Sequence, residues 1–317
     1  MAMPFDVREI VRSATQMRTE REEPVRIAVL VEVDAPDPLV DVLRDRLRPR
    51  TAAARLQIEA VEPGAPELVV DPTVDAAIAV IGGASAEMVS LLAGLVRAGV
   101  HTVALVQRPV PEELALSLGM SRDNVVGDPD PARAVDDHLT RWLADRLAKK
   151  RLALANNFPF TRRHVANHFV NSTAMQNAVI GAVAIIPGAD MPLMTANQAK
   201  MLLQIAASYG EDLGTERAKE LLAIVGGGFT LRAVARQVLD FVPGFGWVIK
   251  GGIGYSGTIA MGKATIAYFE QGADLGQVAH RLRDATGDVT GAAASRVRRF
   301  RGRVESESST GGDADGG

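Results

Sequence analysis

The stretch from Ser172 to Glu270 limits the folding options of this chain more than any other. It contains the runs NAVIGAVAIIPGADMPLM and FVPGFGWVIKGGIGYSGTIAMG. Both are apolar enough for a core or a bilayer contact, yet each holds a Pro-Gly break, at Pro187-Gly188 and Pro243-Gly244. A helix does not run through Pro-Gly, because proline lacks the N–H and glycine carries the largest backbone entropy cost. The stretch therefore reads as several helices. Ser172 or Thr173 caps a first, which ends at Ile186. Asp190 caps a second, with Pro192 in its first turn, where a missing N–H does no harm. Tyr209-Gly210 ends that helix. Thr215 opens a third, stopped by Gly226-Gly227-Gly228, and Thr230 opens a fourth before Pro243. The last runs from near Trp247 to Phe269, with Gly272 just past its end.

A bilayer span needs about 20 largely apolar residues. The first helix offers about fifteen before Pro187, short of that length. The second carries Asn197, Lys200, Gln204 and Ser208 along one stripe, and a charge near a span centre costs about 2.5–3.5 kcal/mol on insertion scales. In the last helix Lys250 and Lys263 bracket twelve uncharged residues, too few to span. A packed helical bundle with partial rather than spanning lipid contact is the expectation.

In that last helix Gly252, Ser256, Ala260 and Ala264 recur every four residues, a face of small side chains that lets another helix approach closely. Gly257 to Lys263 also satisfies the spacing GxxxxGK, but Ala264 follows and no strand precedes it. A phosphate loop needs strand, loop and helix in that order, so these glycines read as packing positions.

The N-terminal half has a different pattern. Residues 5–23 suggest a short solvated helix, ended by Pro24. VRIAVLVEV (Val25 to Val33) is a nearly continuous β-branched run, as in a strand covered on both faces. Leu39 to Leu47 follows with helical spacing. Leu56–Val61 and Leu68–Val70 are weaker strand candidates, and Ala76–Ile81 is a strong one. Gly82-Gly83 then leads to a helix capped by Ser85 and closed at Gly99, followed by strands at His101–Val106 and Asn124–Val126. Strands alternating with helices predict a small doubly wound α/β domain over residues 24–130.

This order resembles the core of a small bacterial GTPase of the translation-factor-related type, in hydrophobic layout. The chemistry is absent. Where GxxxxGK[ST] belongs, after the first strand, stands Asp34-Ala35-Pro36-Asp37-Pro38. Two aspartates repel phosphate and two prolines remove N–H donors. Where a guanine-reading Asn-Lys-x-Asp belongs stands Val106-Gln107-Arg108-Pro109. The expectation is a degenerate, nucleotide-blind domain, and no nucleotide or other cofactor is assigned.

A basic helix, Ala132 to about Ala155, is read as connecting the halves, with Arg146, Lys149, Lys150 and Arg151 on it and Arg162-Arg163 shortly after. Two readings use the same helix: a solvated face, or a polybasic segment held on anionic lipid at about 1 kcal/mol per basic residue. His164 and His168 stand i, i+4, but Val165 follows His164, so the HExxH pattern fails, and no third ligand is evident. Asp190 and Asp212 sit where caps and turns are expected. No nucleophile elbow or catalytic triad order stands out.

Absence of cysteine removes thiol catalysis, disulfides and thiolate metal sites. The N-terminus alternates charge and lacks the apolar core of a signal peptide, giving the expectation of a cytosolic chain that meets any membrane from the inner side. Net charge of −3 and an aromatic content of 4% give no footprint for nucleic acid. The C-terminus runs from basic RVRRFRGR to ESESSTGGDADGG, a composition that cannot bury a core and is expected to be largely disordered.

Several motifs of the C-terminal half carry a second resemblance. Ile185-Ile186-Pro187-Gly188-Ala189-Asp190, Ala206-x-x-Tyr209-Gly210-x-Asp212-Leu213, Val242-Pro243-Gly244-Phe245-Gly246, Gly257-Thr258, Gly262-Lys263 and Tyr268-Phe269-Glu270 are similar to the bacterial domain of unknown function number 697. That domain occurs in YcjF-type inner-membrane proteins and at the C-terminal end of some bacterial GTPases. The resemblance implies membrane association and GTPase partnership, and brings no catalytic residues.

The fold class expected is α/β plus all-α: an N-terminal helix (1–23), the GTPase-like domain (24–130), a basic connecting helix (131–164), a glycine-rich helical domain (165–285), and a basic then acidic tail (286–317). Interaction or packing roles fall to Pro187, Gly188, Asp190, Tyr209, Gly210, Pro243, Gly244, Gly252, Ser256, Ala260, Gly262 and Lys263. Arg146, Lys149, Lys150, Arg151, Arg162 and Arg163 are the lipid-facing basic candidates. The functional expectation is a non-enzymatic membrane-associated adaptor or regulator on the cytoplasmic face of the bacterial membrane, without metal or cofactor. Its expected partners are the inner-membrane surface or a protein in it, a GTPase, or a second copy of the chain. A weak guanine-nucleotide switch and a soluble scaffold are the alternatives.

Overall fold

A computed structural model describes residues 7–64, 69–71, 73–110, 112–183, 191–211 and 246–271. The expectations placed on Pro187, Gly188, Asp190, Asp212, Pro243 and Gly244, on the third and fourth helices and on the tail lie outside the described residues. Of the described residues, 7–169 with 203–211 form one compact unit, and 170–202 with 246–271 form a second.

The first unit is built on a five-stranded parallel sheet of order β2-β1-β3-β4-β5. The strands are β1 Val25–Glu32, β2 Ala54–Val61, β3 Ala76–Val80, β4 His101–Val106 and β5 Val125–Gly127. The strand expected at Leu68–Val70 does not form at Val69 or Val70, which lie in irregular chain. Helix α1 is Val7–Glu22, α2 is Asp37–Arg46, α3 is Ala86–Arg97 and α4 is Glu112–Ser117. Ser85 caps α3 as its sequence predicts, its hydroxyl accepting from the Met88 N–H, a contact worth about 1 kcal/mol.

Alternate residues of each central strand feed two cores. Ile27, Val29, Ile78, Val80, Val103 and Leu105 face one layer, which contains Leu39 and Leu43 of α2. Ala28, Ala77, Ala79 and Ala104 face Met88, Leu92 and Leu95 of α3. Alanine on that face leaves room for the larger side chains of α3.

The segment expected as one solvated connecting helix is neither single nor solvated. Its residues adopt a turn of helix at Pro131–Arg133, a π-helical stretch Ala134–Leu139, helix α5 (Thr140–Arg146), a 3-10 turn Ala148–Lys150 and helix α6 (Arg151–Asn157). Val135, Leu139, Trp142, Leu143, Leu154 and Phe158 are buried in the same core as Ile27 and Ile78. Their apolar side chains give this amphipathic segment a face that only the sheet can cover. Arg46 clasps Asp136 through two hydrogen bonds of 2.8 and 2.9 Å, and Trp142 Nε1 donates to Asn124 Oδ1 at 3.1 Å.

Three long helices follow among the described residues: α7 Arg162–Val183, α8 Met191–Ser208 and α9 Gly246–Gln271. Helix α7 starts ten residues before Ser172, so Ser172 and Thr173 lie inside it rather than cap it. Pro192 sits in the first turn of α8 and Tyr209-Gly210 closes it. Gly210 takes φ +82°, and the N–H of Glu211 reaches back to the Ala206 carbonyl, the left-handed cap that glycine permits at low cost. No helix among the described residues is long and apolar enough to cross a membrane.

Candidate functional site

Among the described residues, buried polar side chains from separate elements meet at the carboxyl end of the sheet and in the helical unit. Strand order reverses between β1 and β3, the point at which doubly wound domains take their ligands. Glu32, the last residue of β1, is only 2% exposed. Its carboxylate accepts hydrogen bonds from the N–H of Gly82 (2.8 Å), Ala84 (3.0 Å) and Ser85 (2.6 Å), and from the Ser85 hydroxyl (2.7 Å). Burial pushes the Glu32 carboxyl up, but the bonds from Ser85, Ala84 and Gly82 outweigh it and hold the group below its ordinary value.

The loop that supplies these donors is shaped for them. Ala84 takes φ 62°, turning successive N–H groups to one side as in an anion-binding nest. A Cβ on Gly82 would strike the main chain and side chain of Asp34, and one on Gly83 would lie 2.7 Å from Asp34 Oδ2. Close approach of the Asp34 main chain therefore demands glycine at position 82, whereas at position 83 only the Asp34 side chain would have to move. No lysine or arginine pairs with Glu32 among the described residues. Sequence reasoning missed this residue, since it placed Glu32 inside an apolar strand and its ligating loop lies fifty residues on. An acidic residue closing a buried run was the available signal.

The second place is the helical unit. Asn177 of α7, fully buried, donates to Thr258 Oγ1 of α9 at 3.0 Å and accepts from Asn197 Nδ2 of α8 at 3.1 Å. Gln198 Nε2 donates to the same Thr258 hydroxyl at 2.9 Å, and that hydroxyl donates to the Gly254 carbonyl at 2.7 Å. Thr258 thus uses its donor and both acceptor positions. Thr173, Thr195 and Thr265 are buried as well, beside Val170, Met194, Met201, Leu202, Met261 and Ile266 among the described residues of this unit. Meanwhile Met175, Val179 and Leu193 are more than half exposed, and Tyr255 is exposed too.

The close helix contact uses a different row from the one expected. Gly252 and Ser256 are exposed, and a Cβ on Gly252 would meet nothing within 4 Å. Gly254, Thr258 and Gly262 face inward instead: a Cβ on Gly254 would lie 2.8 Å from the Asn177 carbonyl oxygen, and one on Gly262 would run into Val170. Both rows have small residues at four-residue spacing, and burial of Thr258 with Asn177 and Gln198 fixes which faces in. Ala260 is half-buried and Lys263 is exposed.

The basic candidates separate in space and in use. Lys150 pairs with Asp75 at 2.6 Å and donates to the Pro24 carbonyl at 2.8 Å. Arg151 Nε donates to the Ala144 carbonyl at 2.7 Å, and Arg162 Nε to the Ala155 carbonyl at 3.2 Å. Burial lowers the pKa of both arginines. Arg146 is exposed and donates to Asn124; Lys149 and Arg163 are exposed. His164 and His168 share one side of α7, and burial, followed by nearby charges, lowers both. Among the described residues no group of three or more His, Asp or Glu is placed to hold a metal ion.

No curated protein and no solved structure matches the chain. Residues 149–295 match the model of the family described as Domain of unknown function (DUF697), a segment that includes Asn177, Gln198 and Thr258.

Proposed function

We propose that the protein is a non-enzymatic, membrane-associated adaptor or regulator. Its α/β domain makes no use of nucleotide, and its DUF697 domain is the interaction module, acting at the cytoplasmic face of the bacterial membrane. The observation that carries this reading is the polarity of the helical unit. Asn177, Gln198 and Thr258 are buried while Met175, Val179, Leu193 and Tyr255 are exposed. Water favours the opposite arrangement. A bilayer interface favours this one, since interhelical hydrogen bonds hold helices together where apolar burial supplies no driving force. The exposed heads of Arg146, Lys149 and Arg163 suit anionic lipid. Partial embedding fits the described helices, none of which is long and apolar enough to cross.

The nucleotide-blind half of the reading is supported by Glu32, whose carboxylate fills the donors at the switch point. Partnership with a GTPase extends the resemblance of the C-terminal half.

Co-sedimentation of the purified chain with anionic and with neutral vesicles tests the membrane role. Binding to anionic vesicles that survives a carbonate wash is expected. A protein that stays in the supernatant with both vesicle types sinks the proposal and leaves the soluble scaffold.

A further inference from the structure

The amino ends of β1 and β2, the opposite end of the sheet from Glu32, border a cavity of about 450 Å³. Arg26, Arg55 and Gln57 line it from the sheet, and Asp71, Thr73 and Val74 from the chain leading into β3. Small-molecule pockets run from about 300 to 1,000 Å³. Arg26 and Arg55 are register partners on neighbouring parallel strands, which sets their Cα atoms about 4.8 Å apart and their side chains on one face. Like charges so placed repel. Among the described residues no carboxylate stands within ion-pair distance of either. The Arg55 guanidinium donates to none of those residues, and Arg26 commits Nη1 to the Thr73 hydroxyl at 2.8 Å, leaving most of its five N–H donors open.

The walls of the cavity are fixed. Gln57 Nε2 donates to the Val69 carbonyl at 3.1 Å, and its Oε1 accepts from the Asp71 N–H at 3.1 Å. Asp71 Oδ1 accepts from the N–H and the hydroxyl of Thr73, at 2.8 and 2.7 Å, which leaves the Thr73 oxygen to accept from Arg26. The neighbouring carboxylates are committed elsewhere: Glu59 accepts from the Gln57 amide at 3.2 Å, and Asp75 pairs with Lys150 at 2.6 Å and accepts from the Arg26 main-chain N–H at 2.9 Å.

We propose that this cavity binds a small soluble organic phosphate, its phosphate group gripped between the Arg26 and Arg55 guanidinium groups. Planar guanidinium forks match phosphate oxygens in pairs, and a doubly charged anion between two cations removes their repulsion. The volume beside Asp71 and Val74 takes the organic part, and Asp71 Oδ2 accepts from a hydroxyl on it. None of the described lining residues is aromatic, so the cavity offers no stacking platform for a nucleobase. The site stands apart from the membrane contact and from the nucleotide-blind carboxyl end of the sheet.

The test follows the melting temperature of the full chain in rising glycerol 3-phosphate or inorganic phosphate, with sodium chloride holding ionic strength constant. A saturating rise is expected with both, at lower concentration for glycerol 3-phosphate. Arg55→Met removes a guanidinium that holds nothing among the described residues. It is expected to melt as wild type does in chloride and to need about tenfold more phosphate for the same rise. Arg55→Lys is expected to fall between, keeping the charge without the fork. Arg97→Ala removes the same charge from the exposed side of α3 and is expected to respond as wild type does. No saturable rise in wild type, a rise unchanged in Arg55→Met, one lost equally in Arg97→Ala, or a preference for inorganic phosphate overturns the proposal. Sedimentation with anionic vesicles is expected to be equal for Arg55→Met and wild type. A loss in the variant would make the arginine pair a lipid-headgroup contact and overturn the soluble ligand, whereas wild-type protein that fails to sediment overturns the membrane reading alone.

Discussion

Gly254 on α9 lies so close to Asn177 on α7 that a Cβ at position 254 would stand 2.8 Å from the Asn177 carbonyl oxygen and 2.6 Å from Met194 Cε. Main chain cannot retreat from such a contact as a flexible side chain can. Gly254→Ala is therefore expected to destabilise the helical unit by about 1–3 kcal/mol, the usual cost of overpacking. Gly252→Ala meets nothing within 4 Å and should be neutral or stabilising by about 0.5–1 kcal/mol, since alanine is the better helix former. Denaturant titration of the two variants side by side checks the pair, and equal effects would show that the buried row has been misassigned.

The Thr258 hydroxyl serves Asn177, Gln198 and the Gly254 carbonyl at once. Removing it takes one hydrogen bond each from the buried amides of Asn177 and Gln198. Thr258→Val keeps the shape and is expected to cost about 1–3 kcal/mol. A double-mutant cycle with Asn177→Ala should return a coupling of about 0.5–3 kcal/mol; additivity within error would mean that the network does not act as a unit.

Glu32 makes stability depend on pH in a defined direction. Its folded pKa is held below the ordinary 4.5, so the unfolded chain takes up the proton first as pH falls. The contribution is complete well above 4.5 and is lost as pH drops through the folded value. Among the described residues no ion pair involves Glu32, and Asp34 packs against the glycine pair whose loop holds it. Urea midpoints measured from pH 6 to pH 3 should fall more steeply for wild type than for Glu32→Gln, whose amide does not titrate. Parallel curves would remove Glu32 from the account of acid stability.

Neighbouring lysines should behave differently. Lys150 is held by Asp75 and the Pro24 carbonyl, and Lys150→Ala is expected to cost about 1 kcal/mol, less in high salt. Lys149 is exposed; Lys149→Ala should leave the melting temperature unchanged and weaken anionic-vesicle binding by about fivefold, the loss of about 1 kcal/mol per basic residue near a charged surface. Vesicle binding indifferent to Lys149 would take this lysine out of the lipid contact.

What the amino-acid sequence determined by itself is what neighbouring residues decide between them. The buried runs of β1, β3 and β4, the Ser85 cap and the glycine closing α8 are all local, and each was legible because strand burial, capping and left-handed φ act over a few residues. The broken helices from Pro131 to Asn157 were legible as helical but not as core, because their apolar face has meaning only once the sheet stands opposite. Two features needed tertiary structure outright. Glu32 finds its donors on a loop fifty residues away, and no spacing rule links a strand-end carboxylate to a glycine pair on the next strand but one. On α9 two rows of small residues have the same periodicity, and the choice of Gly254, Thr258 and Gly262 over Gly252, Ser256 and Ala260 belongs to Asn177 and Gln198 on other helices. Hydrogen-bond satisfaction inside a packed interior is a property of the assembled neighbours, so sequence could propose the faces and only the fold could pick one.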